Sequence, residues 1–128
     1  MKNIGEIVIK YGAAPWPHEM KTAQALILHG YTVIFKRRKE GQYQSSADIE
    51  MNGIEWEIKS PISNRLSNVQ KTLRKAAHQS SSVIYDSQRV KDLTDLQIEK
   101  ELRKQTRGFR SLKHVIFVNK KREVIDIK

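Results

Sequence analysis

The dipeptide Asn52-Gly53 limits the possible folds of this chain more than any other part of the sequence. A two-residue type I′ turn needs positive φ at both central positions, which asparagine and glycine tolerate best. The flanking segments 47–51 and 54–59 alternate between apolar and polar residues, which is the pattern of strands with one buried face. The sequence therefore predicts a β-hairpin within residues 46–61.

The tight turn fixes the register of this hairpin, so that Asp48 faces Glu57. Like charges directly opposite each other destabilise a sheet, and an Asp opposite a Glu therefore needs a cation or a shared proton. Lys59 lies two residues beyond Glu57 on the same face and can join the pair. Hard divalent ions such as Mg²⁺ bind through one or two carboxylates plus phosphate oxygens of a substrate. The alternative is a solvated polar face on two strands, with Lys59 neutralising its neighbours.

The charge of the chain favours a polyanionic partner. Its 128 residues include 24 Lys and Arg against 14 Asp and Glu, a net charge of +10. Nucleic acid is the first candidate and an anionic membrane surface a distant second, although a basic composition can also serve solubility alone. The basic residues expected to contact nucleic acid are Lys36, Arg37, Arg38, Arg65, Lys71, Arg74 and Lys75.

The composition excludes several classes of site. The chain has no cysteine, which rules out disulfides, thiolate zinc sites and cysteine nucleophiles. No apolar run approaches membrane-spanning length, and the N-terminus lacks the apolar core of a secretion signal. The length suits one domain with a hydrophobic core and is too short for two. We therefore expect a single domain over residues 1–128 that acts in an aqueous compartment and does not contact a membrane.

Hydrophobic periodicity and capping signals place the remaining elements around the hairpin. The expected elements are a strand in 4–11, a helix over 18–29 that ends at Gly30, a strand over 31–36, a helix from a Ser63 or Asn64 cap to Gln79, a strand over 83–86, a helix opened by the Thr94-x-x-Gln97 capping box and ending near Thr106, and a hairpin over 114–127.

This order predicts an α/β (α+β) fold with a mixed central sheet flanked by helices. Residues 18–86 follow the succession helix, strand, strand, strand, helix, strand, which is an αβββαβ core, and residues 92–128 add a C-terminal helix and β-hairpin. Glu19 lies on the inward-facing side of the first helix. Taken alone it is an acid favoured by the helix dipole. Taken with the hairpin, it is a third acid aimed at the same place.

The order of elements and the positions of the acids resemble the PD-(D/E)XK nuclease superfamily, which has a restriction-endonuclease-like core. Asp48 matches the acid that the family places on its second core strand, and Glu57-Ile58-Lys59 matches the acid-x-Lys of the third. Glu19 matches the glutamate that many members carry on the first helix, and Gln79 falls where some members place a glutamine. Ala47 departs from the pattern, since the signature has proline there.

The resemblance implies a metal-dependent endonuclease that hydrolyses phosphodiester bonds. The implied metal is Mg²⁺, with Mn²⁺ or Zn²⁺ as alternatives, and the implied ligands are Glu19, Asp48, Glu57 and the carbonyl of Ile58. Lys59 would orient the attacking water or stabilise negative charge, and Gln79 would place the scissile phosphate. The catalytic residues implied are Glu19, Asp48, Glu57, Lys59 and Gln79.

Residues 18–35 and 46–61 also resemble the C-terminal toxin domains of bacterial contact-dependent inhibition systems and related polymorphic toxins. That resemblance implies cleavage of tRNA or DNA and neutralisation by a cognate immunity protein. It also implies action in the cytoplasm, after delivery into a target cell as part of a secreted toxin.

Two other functions stay open at this point. A metal-independent RNase with a barnase/RelE-like fold would use histidines as acid and base and basic side chains as a phosphate clamp. Its candidates are His18, His78 or His114 with Arg107, Arg110 or Lys113. Activity that resists a chelator would favour this function.

A non-catalytic module that binds nucleic acid would depend on exposed aromatic side chains, because bases stack on them. Its candidates are Trp16, Tyr31, Tyr43 and Trp56. Trp56 alternates with two glutamates and is therefore expected to face the core. Binding without turnover under every metal condition would favour such a module.

Overall fold

The computed structural model describes residues 3–37 and 48–128. Its elements are β1 (Ile7–Ile9), α1 (Pro17–Leu28), β2 (Val33–Phe35), β3 (Ile49–Met51), β4 (Ile54–Lys59), α2 (Ser67–Ala77), β5 (Ser82–Asp86), α3 (Asp95–Thr106), β6 (His114–Val118) and β7 (Val124–Asp126). From α1 to β5 the order is the predicted αβββαβ, and α3 with the β6–β7 hairpin forms the C-terminal addition. The predicted α/β fold with a mixed sheet is confirmed.

The described strands form one seven-stranded sheet in the order β1-β2-β3-β4-β5-β6-β7. β2, β3 and β4 are antiparallel neighbours, and β7 is antiparallel to β6. β1 pairs parallel with β2, and β4, β5 and β6 pair parallel through crossovers that contain α2 and α3. Since parallel strands end at the same edge of a sheet, the C-termini of β4, β5 and β6 lie side by side.

Helices cover both faces of this sheet. Leu26 of α1 packs in a cluster with Trp56 and Ile84 on one face. Leu73 of α2 and residues of α3 pack in a second cluster with Tyr85 on the other face. Ile84 and Tyr85 belong to different clusters because successive side chains of a strand point to opposite faces. Burying a large apolar side chain contributes roughly 1.5–3 kcal/mol, so these two clusters hold the helices against the sheet.

The turn between β3 and β4 has the predicted geometry. Asn52 has φ 56° and Gly53 has φ 74°, the left-handed conformation that a type I′ turn requires. The observed register pairs Met51 with Ile54, and the next two pairs follow in step. Continued by one residue, this register places Asp48 opposite residue 57, as the sequence predicts.

The prediction that Ser63 or Asn64 caps α2 is wrong. The helix begins at Ser67, and no side chain caps its N-terminus. The amide oxygen of Asn64 instead accepts a hydrogen bond from the N–H of Lys91 at 3.0 Å, and its nitrogen donates to Asp92 at 3.3 Å. These contacts join the loop before α2 to the loop after β5.

The other helix starts follow the sequence signals more closely. Pro17 occupies the first turn of α1, and Gly30, with φ 106°, follows its end. Thr94 and Gln97 form the predicted capping box of α3, in which Gln97 N–H donates to the Thr94 hydroxyl at 3.1 Å. Among the helices of the described residues, none is long and apolar enough to cross a membrane.

Candidate functional site

Two buried carboxyl groups lie side by side on the β3–β4 hairpin. Asp48 directly precedes β3, Glu57 lies within β4, and their exposed fractions are 8% and 4%. Oδ2 of Asp48 accepts a hydrogen bond from the N–H of Ile58 at 2.9 Å, which holds this side chain against β4. Oε2 of Glu57 is buried and receives no hydrogen bond from any described residue. Because a buried acceptor without a donor is destabilising, this oxygen is a place for a proton or a cation.

The surroundings of Glu57 favour its protonated form. Burial, and then the charge of Asp48 and a hydrogen bond shared with it, raise the pKa of Glu57 to about 8. Lys59 opposes the rise, with its Nζ 3.5 Å from Oε1 of Glu57. At neutral pH the pair therefore holds a proton, which a bound cation would displace.

Glu19 and Asp48 line one pocket of about 240 Å³ between the loop before α1 and the end of β2. Glu19 is buried, and its Oε1 accepts a hydrogen bond from the N–H of Trp16 at 2.8 Å. This contact caps the start of α1, which agrees with the role expected of an acid at that position. Lys36 lines the same pocket and forms an ion pair with Glu55.

The residues expected to hold a metal ion are partly brought together. Asp48 and Glu57 interact directly, and the backbone of Ile58 is tied to Asp48. Within residues 3–37 and 48–128, no three acidic, histidine or cysteine side chains are close enough to share one metal ion. Two carboxylates with open positions for water and phosphate oxygens are nevertheless a donor set that Mg²⁺ uses. The pair fits such an ion, and ligation by Glu19 stays a prediction.

Gln79 follows α2 and lies beside the start of β4. The neighbouring Ser80 hydroxyl donates to the carbonyl of Glu55 at 3.1 Å, which fixes this turn against the strand. Oε1 of Gln79 is buried and has no hydrogen-bond partner among the described residues. Its predicted part in placing a phosphate stays a prediction.

A larger pocket, of about 440 Å³, lies beyond Lys59 at the C-terminal end of β4. The start of α1, the loop after β4 and one side of α2 line it, and its basic side chains are Lys59, Lys75 and Arg89. His18 also lines it, and burial together with the charge of Arg89 lowers the pKa of that ring. The basic side chains make this pocket attractive to anions.

The basic residues predicted to contact nucleic acid occupy several surfaces. Lys36 lines the pocket with Glu19, and Lys75 lines the pocket beyond Lys59. Arg38 lies outside the described residues. The others are exposed without being placed in either pocket: Arg37, Arg65, Lys71 and Arg74.

Sequence reasoning missed Ser60 and Arg89. Strand alternation predicts that Ser60 faces the side opposite to Lys59, yet both residues line the pocket beyond Lys59. Nε of Arg89 donates to the carbonyl of Ser60 at 3.0 Å. This contact joins residues 29 positions apart, and no local pattern signals it.

A second group that the sequence analysis missed centres on Asp86, which is fully buried at the end of β5. Arg122 donates to both of its oxygens at 2.9 Å, and the hydroxyl of Thr22 donates at 2.6 Å. The only available signal was the acid that closes the apolar run Val83–Tyr85. This network links α1, β5 and the β6–β7 turn.

The residues of the two alternative functions are dispersed. His18 lies at the C-terminal edge of β4, whereas His114 begins β6 at the opposite edge and His78 follows α2. Trp56 is 5% exposed, so its predicted orientation toward the core is confirmed. Trp16 is 60% exposed, and Tyr43 lies outside the described residues.

Comparison with known proteins assigns the chain to a family. No curated protein matches it significantly. A solved structure from Burkholderia pseudomallei, described as a CdiA-CT/CdiI toxin and immunity complex, shares the fold with a TM-score of 0.73, covering 97% of this chain and 99% of that chain at 19% identity. Residues 45–124 match the profile of the contact-dependent growth inhibition CdiA C-terminal domain. Because this match spans more than half of the sequence, the chain belongs to the contact-dependent growth inhibition CdiA C-terminal domain family.

Proposed function

We propose that this chain is a metal-dependent nuclease of the PD-(D/E)XK type, which hydrolyses phosphodiester bonds in tRNA or DNA as the toxin domain of an interbacterial competition system. The observation that carries the proposal is the buried contact of Asp48 with Glu57, with Lys59 beside it at 3.5 Å. A protein with a net charge of +10 that concentrates two acids and a lysine in this way suits a phosphate-bearing substrate.

The position of the acids within the fold also supports the PD-(D/E)XK type. Asp48 precedes the second strand of the αβββαβ core, and Glu57 and Lys59 lie on the third. Glu19, at the start of the first core helix, shares a pocket with Asp48. These are the places that the resemblance assigns to the acid, the acid-x-Lys and the helix glutamate.

Each residue has a defined part in the proposed reaction. Asp48 and Glu57 would hold Mg²⁺, Mn²⁺ or Zn²⁺, with Glu19 and the carbonyl of Ile58 as further ligands. When bound, such an ion lowers the pKa of a water and stabilises charge on phosphate oxygens. Glu57 would have to be deprotonated to act as a ligand. The ammonium group of Lys59 orients the attacking water or donates to a phosphate oxygen.

Membership of the CdiA C-terminal domain family supports a toxin role for this chain, with delivery into a target cell and action in its cytoplasm. The similar solved structure is described as a toxin and immunity complex. We therefore also propose that a cognate immunity protein binds and neutralises this chain.

The test is a cleavage assay with total tRNA, single-stranded DNA and plasmid DNA, in Mg²⁺, Mn²⁺, Zn²⁺ or EDTA. We expect cleavage of at least one substrate with Mg²⁺ and none in EDTA. Asp48→Asn and Lys59→Ala should each reduce the rate by about 100-fold or more, since each removes a charge at the reacting phosphate. Asp48→Asn is preferred to alanine because its amide oxygen can still accept the hydrogen bond from Ile58.

Glu50→Ala is the matched control, because Glu50 in β3 lies two residues after Asp48 and is paired with Glu55 outside the proposed site. It should cleave at close to the wild-type rate. Cleavage that persists in EDTA would instead favour the metal-independent RNase. Binding without cleavage under every metal condition would favour the non-catalytic module.

A further inference from the structure

The pocket beyond Lys59 has the composition of a phosphate site. Its cations come from three separate parts of the chain: Lys59 from β4, Lys75 from α2 and Arg89 from the loop after β5. Its described lining includes no acidic residue, whereas the smaller pocket is lined by Glu19 and Asp48. Among the described residues, the charged side chains that line this pocket are therefore all basic, in contrast to the pocket of Glu19 and Asp48.

We propose that this pocket binds a phosphodiester group of the nucleic-acid strand, adjacent to the phosphate that reacts at Asp48 and Glu57. The proposal rests on the proposed function for the identity of the strand. Lys59 belongs to both places, since it lines the pocket and lies 3.5 Å from Glu57. A strand that crosses the C-terminal end of β4 thus meets the reacting site on one side of Lys59 and this pocket on the other.

Ser60 supplies an independent indication of a ligand. The residue is 7% exposed and lines the pocket, and its hydroxyl has no hydrogen-bond partner among the described residues. An unpaired buried hydroxyl is destabilising in the free protein. A phosphate oxygen in the pocket would accept the missing hydrogen bond.

Arg89 is oriented before any ligand arrives. Its Nε donates to the carbonyl of Ser60 at 3.0 Å, and one terminal nitrogen donates to the same oxygen. A guanidinium group has five N–H donors, so further donors remain for an anion. A rigid planar group held in this way loses little freedom when it binds a phosphate.

Thr72 adds a neutral donor on the α2 side of the pocket. Its hydroxyl accepts a hydrogen bond from Asn68 at 3.1 Å, and both residues line the pocket. The acceptor role leaves the hydrogen of the Thr72 hydroxyl available for an anion. Cations and hydroxyl groups from the end of β4, from α2 and from the loop after β5 match the oxygens of a phosphodiester.

The test measures the binding of a labelled single-stranded oligonucleotide of about 12 nucleotides by fluorescence anisotropy in EDTA, with the integrity of the strand checked on a gel. Arg89→Gln and Lys75→Gln should each weaken binding by about three- to tenfold and lower the slope of log K against log salt by about 0.7, the loss of one phosphate contact. Lys104→Gln removes the same charge from an exposed position on α3 that lines neither pocket, and should change binding less than about twofold.

Ser60→Ala separates a binding role from a structural one. Removing an unpaired buried hydroxyl should leave the melting temperature unchanged or raise it. If the hydroxyl meets a phosphate, the same variant should bind the oligonucleotide about threefold more weakly. Unchanged affinity in Ser60→Ala would remove this residue from the site.

The proposal is overturned if Arg89→Gln and Lys75→Gln bind like Lys104→Gln. Lys75 is exposed, and its side chain makes no hydrogen bond or ion pair with any described residue, so we expect the Lys75→Gln variant to fold like the wild type. Strong competition by inorganic phosphate at micromolar concentration would assign the pocket to a free phosphate ligand and would also overturn it. Binding is measured in EDTA and does not depend on cleavage. If the nuclease proposal fails, the cleavage assay in Mg²⁺ yields no product while these binding effects are retained.

Discussion

Glu57 couples the stability of this protein to pH. Its pKa is about 8 in the folded chain, against an ordinary value of 4.5. Between these pH values the folded state binds a proton at Glu57 that the unfolded state lacks. The contribution of the protonated Glu57 to the free energy of unfolding is therefore complete below about pH 4.5 and is lost as the pH rises through about 8. We expect the melting temperature of the metal-free protein to fall between about pH 5 and 9. Thermal unfolding followed by circular dichroism in EDTA measures it.

Glu57→Gln is the matched variant, because its amide has a similar shape and does not titrate. It should lose less stability than the wild type over the same range, and the difference between the two curves isolates the Glu57 carboxyl group. Parallel curves for the two proteins would show that this group does not set the pH dependence. The comparison needs no cleavage assay, and it therefore tests the burial of the pair separately from its chemistry.

The ion pair of Asp86 and Arg122 concerns a different property, which is the loss in free energy of unfolding when a buried charge is left unpaired. Asp86 is fully buried and Arg122 donates to both of its oxygens. Arg122→Ala should therefore destabilise the protein by about 3 kcal/mol, since it leaves a buried carboxylate without its cation. Urea unfolding measures the change. Lys121→Ala, at the exposed neighbouring position, should change stability by less than about 0.5 kcal/mol.

The Asp86→Asn background supplies the decisive comparison for this pair. Without the negative charge, the same Arg122→Ala substitution should cost much less, because no carboxylate is left unpaired. An equal cost in both backgrounds would mean that Arg122 acts through packing or backbone geometry instead. The backbone matters here, since Arg122 has φ 65°.

Among the elements, the β3–β4 turn determines whether the two acids meet. Gly53 has φ 74° and open space around the position of a Cβ, so Gly53→Ala introduces backbone strain without a clash. We expect a loss of about 1–2 kcal/mol in the free energy of unfolding. Gly108→Ala is the control, because Gly108 lacks positive φ and a Cβ there would lie 3.5 Å from its nearest contact. That change should be neutral or slightly stabilising, and equal losses in both variants would contradict the argument.

The sequence predicted the elements whose signals are local. Asn52-Gly53 and the alternation around it specified both the turn and the register, because a tight turn leaves the strands one pairing. The capping box formed by Thr94 and Gln97 specified the start of α3, because its hydrogen bonds join residues only three positions apart. The start of α2 was predicted wrongly because Asn64, a good cap by type, bonds to Lys91 across 27 positions.

The residues that line the basic pocket show the same limit, which is that contacts between distant parts of the chain leave no local sequence signal. Asp48, Glu57 and Lys59 follow from strand alternation, so the sequence was sufficient to propose them. Ser60 and Arg89 are joined through a contact between two loops. Alternation along β4 does not predict the orientation of Ser60, because this residue follows the end of the strand. Arginine commonly binds phosphate, but among 24 Lys and Arg no spacing singles out Arg89, and no spacing singles out Ser60.

At the scale of the whole molecule, opposite charges are separated within a small protein. The net charge is +10. The two buried acids of the β3–β4 hairpin, Asp48 and Glu57, lie near the basic pocket beyond Lys59. Long-range attraction brings a polyanion to the protein, and the carboxylates repel it at the point of contact unless a cation intervenes. Affinity for nucleic acid should therefore depend on divalent cations at the Asp48–Glu57 pair. Contacts with the surface cations should instead depend on the salt concentration.

This balance predicts an inversion of binding strength. In EDTA, the double variant Asp48→Asn/Glu57→Gln should bind a single-stranded oligonucleotide more tightly than the wild type, since it removes the negative charge that the pair keeps when it holds one proton. In Mg²⁺, under conditions where binding is read before cleavage, the wild type should bind more tightly than the double variant if its carboxylates hold the ion as proposed. Both proteins should weaken steeply between about 50 and 200 mM salt, with similar slopes, because the surface cations are unchanged. Anisotropy titrations measure all four affinities, and an order that is the same with and without Mg²⁺ would show that the pair does not bind the ion.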